Sequence, residues 1–413
     1  MKAILLLLSV LPLAGISQTR NDAALEKLIR ANASASLLHV LDNPDTFRYQ
    51  LIYTKIDRDA RNRPVFTHQY LNVNADDYFN PASTVKLPLA LLALEKLNTL
   101  RSKGIDRNTT MFTDSSFTHQ SPVTSDSSAA NGLPSISQYI KKIFLVSDND
   151  AYNRLYEFLG QQYINESLSK KGYANTRITR RFVPMTEDEN RHTNAIRFMD
   201  GSTLLLMQPP AVSGFEFDFS KKVLVGKAYY DRNEQLVQAP MDFTTHNKLA
   251  LTDLQQMLQA AIFPSSLPSQ KRFNISAEDY KFLHRYMSML PFESRFPNYD
   301  TSEFFNSYTK FFLYRAGKTV PPKNIRIFNK AGWSYGFLTD AAYIIDFESR
   351  TEFMLTASIY VNSDQVLNDD KYDYETIGYP FFAEIGKIIY AHEKARKKPR
   401  LPDLRDFVFD YRN

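Results

Sequence analysis

The sequence contains no cysteine in its 413 residues. That absence excludes disulfide bonds, thiolate zinc sites, cysteine nucleophiles and membrane anchoring through a lipidated cysteine. Glycine is also scarce, with 13 residues, and no glycine-rich phosphate-binding loop is present. The seven histidines are scattered along the chain without the spacing of metal ligands. We therefore expect neither a metal site nor a cofactor.

The charge is balanced, with 50 Lys and Arg residues against 45 Asp and Glu residues. A net charge of +5 on a chain of this length, without a long basic patch before the last twenty residues, does not favour a nucleic-acid partner. The hydrophobic fraction of 43% is typical of a folded globular protein. A chain of this length can bury a sizeable core in one large domain or two smaller ones.

The N-terminus has the pattern of a secretory signal peptide over residues 1–17. Lys2 is followed by an apolar stretch over residues 4–13, and the small residues Gly15 and Ser17 precede a predicted cleavage site. This stretch is shorter than the ~20 residues that a stable transmembrane helix needs. No later stretch is long and apolar enough. We expect an exported protein, periplasmic or secreted, without a stable membrane anchor.

Strand-like segments occur near both ends of the chain and helical patterns lie between them. The predicted strands are residues 49–56, 65–73, 325–330, 337–346 and 352–361. Helices are predicted at residues 23–41, 81–100, 136–146, 150–159, 163–171, 251–262 and 381–394. The terminal strands have to pair with each other to bury their apolar faces. The pattern therefore predicts an α+β fold, with an antiparallel sheet built from N- and C-terminal strands, flanking helices and a helical lobe.

After cleavage, residues 18–413 are predicted to form one domain. Its sheet subdomain takes in residues from about 18 to 75 and from about 320 to 395. The helical lobe covers residues 76–319 approximately and carries an inserted hairpin at about 205–245. A charged loop is predicted at residues 174–195, and a basic tail at 396–413 that is either solvated or packed on the surface.

Three Ser-x-x-Lys tetrads occur, at Ser83–Lys86, Ser167–Lys170 and Ser307–Lys310. Residues three apart share one face of a helix, so a neutral lysine amine can take the proton of the serine hydroxyl. Only the first tetrad opens a long apolar helix, and this places Ser83 at a helix N-terminus, where free N–H groups favour a developing oxyanion. The other two tetrads are interpreted as solvated serine and lysine residues.

Two further motifs follow, Ser147-Asp148-Asn149 and Lys330-Ala331-Gly332. Alone, the first is a plain helix cap and the second a lysine before a glycine turn. In this order after Ser83 and Lys86, they resemble the S-x-x-K, S-D-N and K-T-G set of serine β-lactamases and penicillin-binding proteins. The chain most resembles the class A β-lactamase-like branch of this superfamily, over most of its length.

The resemblance implies three catalytic residues. Ser83 would be the acylated nucleophile, Lys86 its general base, and Ser147 the relay that passes a proton to the leaving nitrogen. Lys86 has to be neutral part of the time for this role. Partial burial and the nearby ammonium of Lys330 would lower its pKa from the usual value of about 10.4.

The same resemblance implies the substrate-binding residues. Asn149 would hold the substrate amide and Lys330 would attract the substrate carboxylate. The backbone N–H of Trp333, the residue directly after Gly332, would bind the oxyanion together with the backbone N–H of Ser83. The implied substrate is a small-molecule β-lactam or a peptidoglycan-like fragment.

Three departures from the family pattern keep alternatives open. Ala331 replaces the hydroxyl residue that the family uses to bind the substrate carboxylate, with Ser334 as a poorly placed substitute. The gap from Ser147 to Lys330 is several tens of residues longer than in class A enzymes. The class A Glu-x-x-Leu-Asn stretch, whose glutamate activates the deacylating water, is missing. Its position falls near Phe182, and only Glu187 and Glu189 lie in the same loop; Glu166 belongs to an earlier surface helix.

The leading prediction is thus a β-lactamase-type hydrolase acting on a β-lactam or related amide. One alternative is a D-Ala-D-Ala carboxypeptidase or another cell-wall amidase of the penicillin-binding type. Another is a slow-deacylating protein that binds β-lactams or wall fragments. The segment 332–336 also matches the G-x-S-x-G nucleophile elbow of α/β-hydrolases. That elbow needs a helix after it, whereas residues 337–345 have the pattern of a strand.

Overall fold

The computed structural model describes residues 19–411. The predicted signal peptide at residues 1–17 lies outside the described residues. None of the helices within residues 19–411 combines the length and apolar character needed to cross a membrane.

Helices and strands alternate irregularly along the described chain. The helices are α1 Ala23–Asn32, α2 Ala35–Asp42, α3 Pro44–Phe47, α4 Lys86–Leu100, α5 Ile136–Leu145, α6 Asn149–Leu159, α7 Gln161–Lys170, α8 Glu187–Arg191, α9 Leu251–Ile262, α10 Ala277–Ser288, α11 Phe311–Tyr314 and α12 Tyr379–Ala395. The strands are β1 Gln50–Arg58, β2 Pro64–Leu71, β3 Thr110–Asp114, β4 Thr176–Arg177, β5 Ala195–Asp200, β6 Thr203–Gln208, β7 Leu224–Val225, β8 Ala228–Tyr230, β9 Leu236–Val237, β10 Met241–Asp242, β11 Lys248–Leu249, β12 Ile325–Ser334, β13 Phe337–Asp346, β14 Thr351–Tyr360 and β15 Val366–Leu367.

The main sheet has five strands in the order β12-β13-β14-β1-β2, and every neighbouring pair is antiparallel. Strand β1 pairs with β14, with Gln50 opposite Ser358, so the two ends of the chain meet in the middle of the sheet. The predicted α+β fold, with a sheet built from N- and C-terminal strands, is confirmed. Every residue of β13 and β14 is buried, because helices cover both faces of the sheet.

Each face of the sheet packs against its own layer of helices. On one face, α1, α2 and α12 bury an apolar cluster that includes Leu25, Leu37 and Phe382. The other face packs against the helical lobe. In the lobe, α4 is buried on all sides from Lys86 to Leu94, which is the pattern of a helix that runs through a core. The start of α4 therefore lies where the sheet and the lobe meet.

Several local predictions differ from the structure. The helix predicted at residues 23–41 is divided into α1 and α2, and Ser34 caps α2 by accepting a hydrogen bond from the N–H of Leu37 at 3.2 Å. The lobe contains a three-stranded sheet, β3-β5-β6, and helix α10, none of which was predicted. The loop predicted at 174–195 includes β4 and the short helix α8. The C-terminal tail, in contrast, agrees with one of its two predicted alternatives, because it packs on the lobe through the buried Phe407.

Candidate active site

A tight turn positions Ser83 at the beginning of α4. The turn is a 3-10 helix, Ala82–Val85, which leads directly into α4. The N–H of Ala82 donates to Asn80 Oδ1 at 2.9 Å, and the hydroxyl of Thr84 donates to the carbonyl of Pro81 at 2.6 Å. These buried hydrogen bonds fix the backbone on both sides of Ser83, whose own side chain is half-buried.

Lys86 lies under Ser83 and is completely buried. Its Nζ is 2.8 Å from Ser83 Oγ and 2.7 Å from Asn149 Oδ1. It is also 3.3 Å from Ser147 Oγ and donates to the carbonyl of Ser147. The spacing of the tetrad therefore places the amine next to the hydroxyl of Ser83, and the amine also connects Ser83 with the S-D-N motif.

Ser147 brings the second motif to this amine. Its φ is 64°, in the left-handed region that few residues other than glycine adopt. Asp148 then caps α6 by accepting a hydrogen bond from the N–H of Ala151 at 2.8 Å. Lys330 Nζ donates to Ser147 Oγ at 2.9 Å. The Ser147 hydroxyl thus lies between two lysine amines that come from distant parts of the chain.

Burial lowers the pKa of both amines, Lys86 and Lys330. The pKa of Lys86 is well below its usual 10.5, because burial penalises the ammonium and because the charge of Lys330 is close; Asp148 opposes the shift. Burial also lowers the pKa of Lys330 to about 7, which the carboxylate of Asp340 opposes. An uncharged Lys86 amine has a lone pair, so it can accept the proton of Ser83.

Gly332 allows the edge of the sheet to approach Ser83. A Cβ at this position would be 2.5 Å from the backbone nitrogen of Ser83 and 2.9 Å from that of Thr84, so any side chain would collide with the turn. Gly332 and Trp333 lie on β12, which is an edge strand of the sheet. A two-residue turn makes Ser334 and Phe337 the closing pair, so the N–H of Trp333 points away from β13. The backbone N–H groups of Ser83 and Trp333 can therefore serve one oxyanion.

Ser83 opens onto a cleft of about 390 Å³. Asn149, Trp333 and Ser334 line it, together with the loop at residues 182–185. Phe182 lies where class A enzymes would be expected to carry the deacylating glutamate, and Lys86 Nζ is 5.2 Å from the centre of its ring. Within residues 19–411, no Asp or Glu lines this cleft.

Glu187 and Glu189, the two loop residues considered as replacements for the deacylating glutamate, form contacts outside the cleft. Glu189 accepts a hydrogen bond from the N–H of Thr186 and pairs with His119 at 2.5 Å, and these contacts lower its pKa to about 2. Glu187 is exposed and pairs with Arg191 at 3.1 Å. Neither residue lines the cleft of Ser83.

Ala331 points away from the cleft. It is completely buried in the apolar cluster under α12, directly opposite Asp340 in the neighbouring strand. Ser334 does line the cleft, three residues further along β12. The hydroxyl that the family motif places after the lysine therefore has no equivalent at position 331.

The structure agrees with the prediction for the second tetrad and the G-x-S-x-G segment, but not with that for the third tetrad. Lys170 is exposed and pairs with Glu166 on α7, as predicted for the second tetrad. The third tetrad is not solvated: Ser307 and Lys310 are both buried, so that prediction is wrong. Segment 332–336 comprises the end of β12 and the two-residue turn before β13. Strand β13 follows it instead of a helix, which excludes a nucleophile elbow.

Sequence reasoning missed several residues of the cleft, namely Arg180, Arg232, His246 and Asn247. They come from the charged loop, the inserted hairpin and the segment before α9, which lie far apart in sequence. The pair Arg180-Arg181 offered a signal, since two adjacent arginines rarely have the same surroundings. In the described part of the chain, no cluster of three His, Asp or Glu side chains has the arrangement of a metal site.

Residues 60–207 match the family described as "Beta-lactamase enzyme family". This segment contains Ser83, Lys86, Ser147 and Asn149. The predicted resemblance to the serine β-lactamase superfamily is therefore confirmed. The match supports a hydrolase of the β-lactamase type.

Solved structures similar to this β-lactamase-like chain include a β-lactamase from Sphaerobacter thermophilus, with 12% identity, 88% of this chain and 98% of that chain covered, and a TM-score of 0.46. A β-lactamase from Xanthomonas campestris is 13% identical, with 88% and 97% covered and a TM-score of 0.47. A PBP-A mutant in an acyl-enzyme complex with penicillin G is 13% identical, with 89% and 96% covered and a TM-score of 0.45. No curated protein matches the sequence.

Proposed function

We propose that this protein is a serine hydrolase that opens a β-lactam or a related amide through an acyl-enzyme at Ser83. The observation that carries the proposal is the position of the Lys86 amine. It is buried, 2.8 Å from Ser83 Oγ, and its pKa is lowered well below the usual value by burial. A nucleophile in contact with a base that can be neutral is the basic requirement for covalent catalysis by serine.

The reaction then follows from the contacts. Neutral Lys86 takes the hydroxyl proton as Ser83 Oγ attacks the amide carbonyl. The backbone N–H groups of Ser83 and Trp333 stabilise the oxyanion. Ser147 donates its proton to the leaving nitrogen as the C–N bond breaks, and takes a proton from Lys86 in return. Water finally hydrolyses the ester and restores Ser83.

A second candidate function is a penicillin-binding protein that releases its acyl group slowly, including a D-Ala-D-Ala carboxypeptidase. The observation that favours it is the composition of the cleft. Phe182 faces Lys86, and in the described chain the cleft lining has no carboxylate that could activate water. Without a positioned base, hydrolysis of the ester loses the ~10²- to 10⁴-fold that general-base catalysis supplies.

Time-resolved intact-mass analysis with a penicillin tests the proposal. We expect one equivalent of penicillin to be added to the protein, with peptide mapping to Ser83 and no adduct in Ser83→Ala. Adduct formation or nitrocefin hydrolysis that persists in Ser83→Ala would overturn it. A long-lived adduct, together with release of D-Ala from a pentapeptide, would select the second candidate.

We further propose that the protein is exported, on the basis of residues 1–17 alone. N-terminal sequencing of the protein from its native host tests this. A mature chain that starts near Gln18 supports export, and a chain that retains Met1 contradicts it.

A further inference from the structure

Arg180 lines the cleft of Ser83 without a partner of its own. The three arginines in this part of the loop have different surroundings. Arg181 is buried and bonded to Glu157 and to the carbonyls of Glu189 and His192. Arg177 donates to the carbonyls of Asp218 and Thr244. The guanidinium of Arg180 has neither a hydrogen bond nor an ion pair with any residue in the described range 19–411.

The backbone of Arg180 is nevertheless held firmly. Its N–H donates to Oδ1 of the buried Asn247 at 3.2 Å, and its carbonyl accepts a hydrogen bond from the hydroxyl of Tyr152 at 2.9 Å. Asn247 Oδ1 also accepts a hydrogen bond from the N–H of Thr179 at 2.7 Å. The half-buried guanidinium is therefore held at the cleft with its donors unused by the described residues. A ligand that enters the cleft is the partner that this arrangement lacks.

No acidic side chain in the described cleft lining would compete with an incoming anion for Arg180. The cleft lining has no Asp or Glu in the described chain, and a second arginine, Arg232, reaches it from the turn between β8 and β9. His246 lies beside Arg180, where burial and then the charge of Arg180 lower the pKa of its imidazole to about 3. His246 is therefore neutral at physiological pH and adds no charge to the cleft.

The position in the cleft indicates which part of the substrate meets Arg180. Ser147 and Lys330 lie on the side where the leaving nitrogen receives its proton, and neither residue lines the cleft. The residues that line the cleft beside Ser83 include Asn149 and, from the loop, Arg180 and residues 182–185. The acyl part of the substrate must occupy this space.

We propose that Arg180 binds a carboxylate on the acyl part of the substrate, so that the enzyme prefers amides whose acyl part is anionic. The planar guanidinium can donate two parallel hydrogen bonds to a carboxylate, and it stays charged at every physiological pH. Arg232, on the exposed hairpin, adds long-range attraction. This inference rests on the proposed acylation of Ser83.

The test uses three penicillins with the same ring system and an acyl side chain that is a carboxylate, neutral or an ammonium. Acylation of the full chain by each compound is followed by intact mass over a range of concentrations, which gives the second-order rate, the apparent affinity and the limiting rate. We expect the carboxylate compound to react about tenfold faster than the ammonium compound, as one charge-assisted hydrogen-bonded contact allows. Arg180→Gln should remove this preference, and Arg180→Lys should retain part of it, with the difference in the apparent affinity and not in the limiting rate.

Arg61→Gln is the matched control, since Arg61 is an exposed arginine on the distant β1–β2 hairpin. It should leave the preference unchanged, and thermal melting should show that all variants are folded. Equal rates for the three compounds, or a preference that Arg180→Gln retains, would overturn this inference. Absence of acylation by every compound would instead overturn the proposed function, so the two failures are distinguishable.

Discussion

Ser83–Lys86 and Ser307–Lys310 have the same spacing and both lysines are buried, but the two amines have different partners. Lys86 Nζ contacts a serine hydroxyl that opens onto a cleft. Lys310 Nζ donates to the carbonyls of Met287 and Ile327, at 2.7 and 3.1 Å, and to Asn329 Oδ1 at 2.7 Å. Ser307 Oγ is buried and has no hydrogen-bond partner in the described chain.

Burial is the largest cause that lowers the pKa of lysine in both places, to about 7 for Lys310. A lowered lysine pKa therefore does not by itself identify a general base. What distinguishes Lys86 is the hydroxyl of Ser83 within reach, a second hydroxyl on Ser147 and an open cleft next to Ser83. Lys310 has none of these, and it joins α10 and β12 through backbone carbonyls.

The largest difference is expected when the two serines are compared. Ser83→Ala should reduce acylation by a penicillin at least ~10³-fold, as removal of a catalytic nucleophile does. Ser307→Ala should leave the acylation rate unchanged, because Ser307 lies outside the cleft. Intact mass after a timed incubation measures both. Equal losses in the two variants would contradict the assignment of the nucleophile.

Substitution of Lys86 should affect acylation, whereas substitution of Lys310 should affect stability. Lys86→Met should slow acylation by ~10²- to 10⁴-fold, the usual contribution of a general base. Lys310→Met should keep acylation in the folded protein but lower the free energy of unfolding by about 2–3 kcal/mol, because buried acceptors lose their donor. Urea unfolding and acylation rates, measured side by side, separate the two roles. A stable Lys310→Met variant that is not acylated would refute the distinction.

Phe182, which faces Lys86 of the Ser83 tetrad, can also be replaced. Phe182→Glu would place a carboxylate near Lys86, at the wall of the cleft where an ester at Ser83 meets water. We expect the acyl-enzyme to decay about tenfold faster, below the full general-base effect because the new side chain is not positioned. Phe182→Gln is the control of equal size without charge. Equal lifetimes in the two variants would show that the carboxylate does not reach the ester.

The smallest effect is expected in the pH dependence. Only the neutral form of Lys86 accepts a proton, so the acylation rate should rise with pH through the lowered pKa of Lys86 and level off below pH 10.5. Lys330→Gln removes a charge that lowers this pKa, so the rise should move to higher pH. Lys310→Met should leave the profile in place. A profile that Lys330→Gln does not move would contradict the coupling between the two amines.

Much of the catalytic centre could be predicted from local patterns. The tetrad at Ser83 was distinguished from the other two by the apolar helix that follows it, and the structure confirms that helix as α4. The surroundings of Ser307 and Lys310 could not be predicted, because their burial comes from β12 and α10, which contact them only in the folded chain. Strand β3 was missed because it is short and stabilised by β5, which is distant in sequence.

The sequence by itself determined the fold class, the turn that presents Ser83 and the residue types that meet there. Periodicity and capping residues are local properties, and they act before any tertiary contact forms. Only the tertiary structure decided that Lys86 and Lys310 are both buried, that Phe182 faces Lys86, and that Arg180 was left without a partner. Those properties depend on which groups are removed from water together, and burial is a property of the whole packed chain.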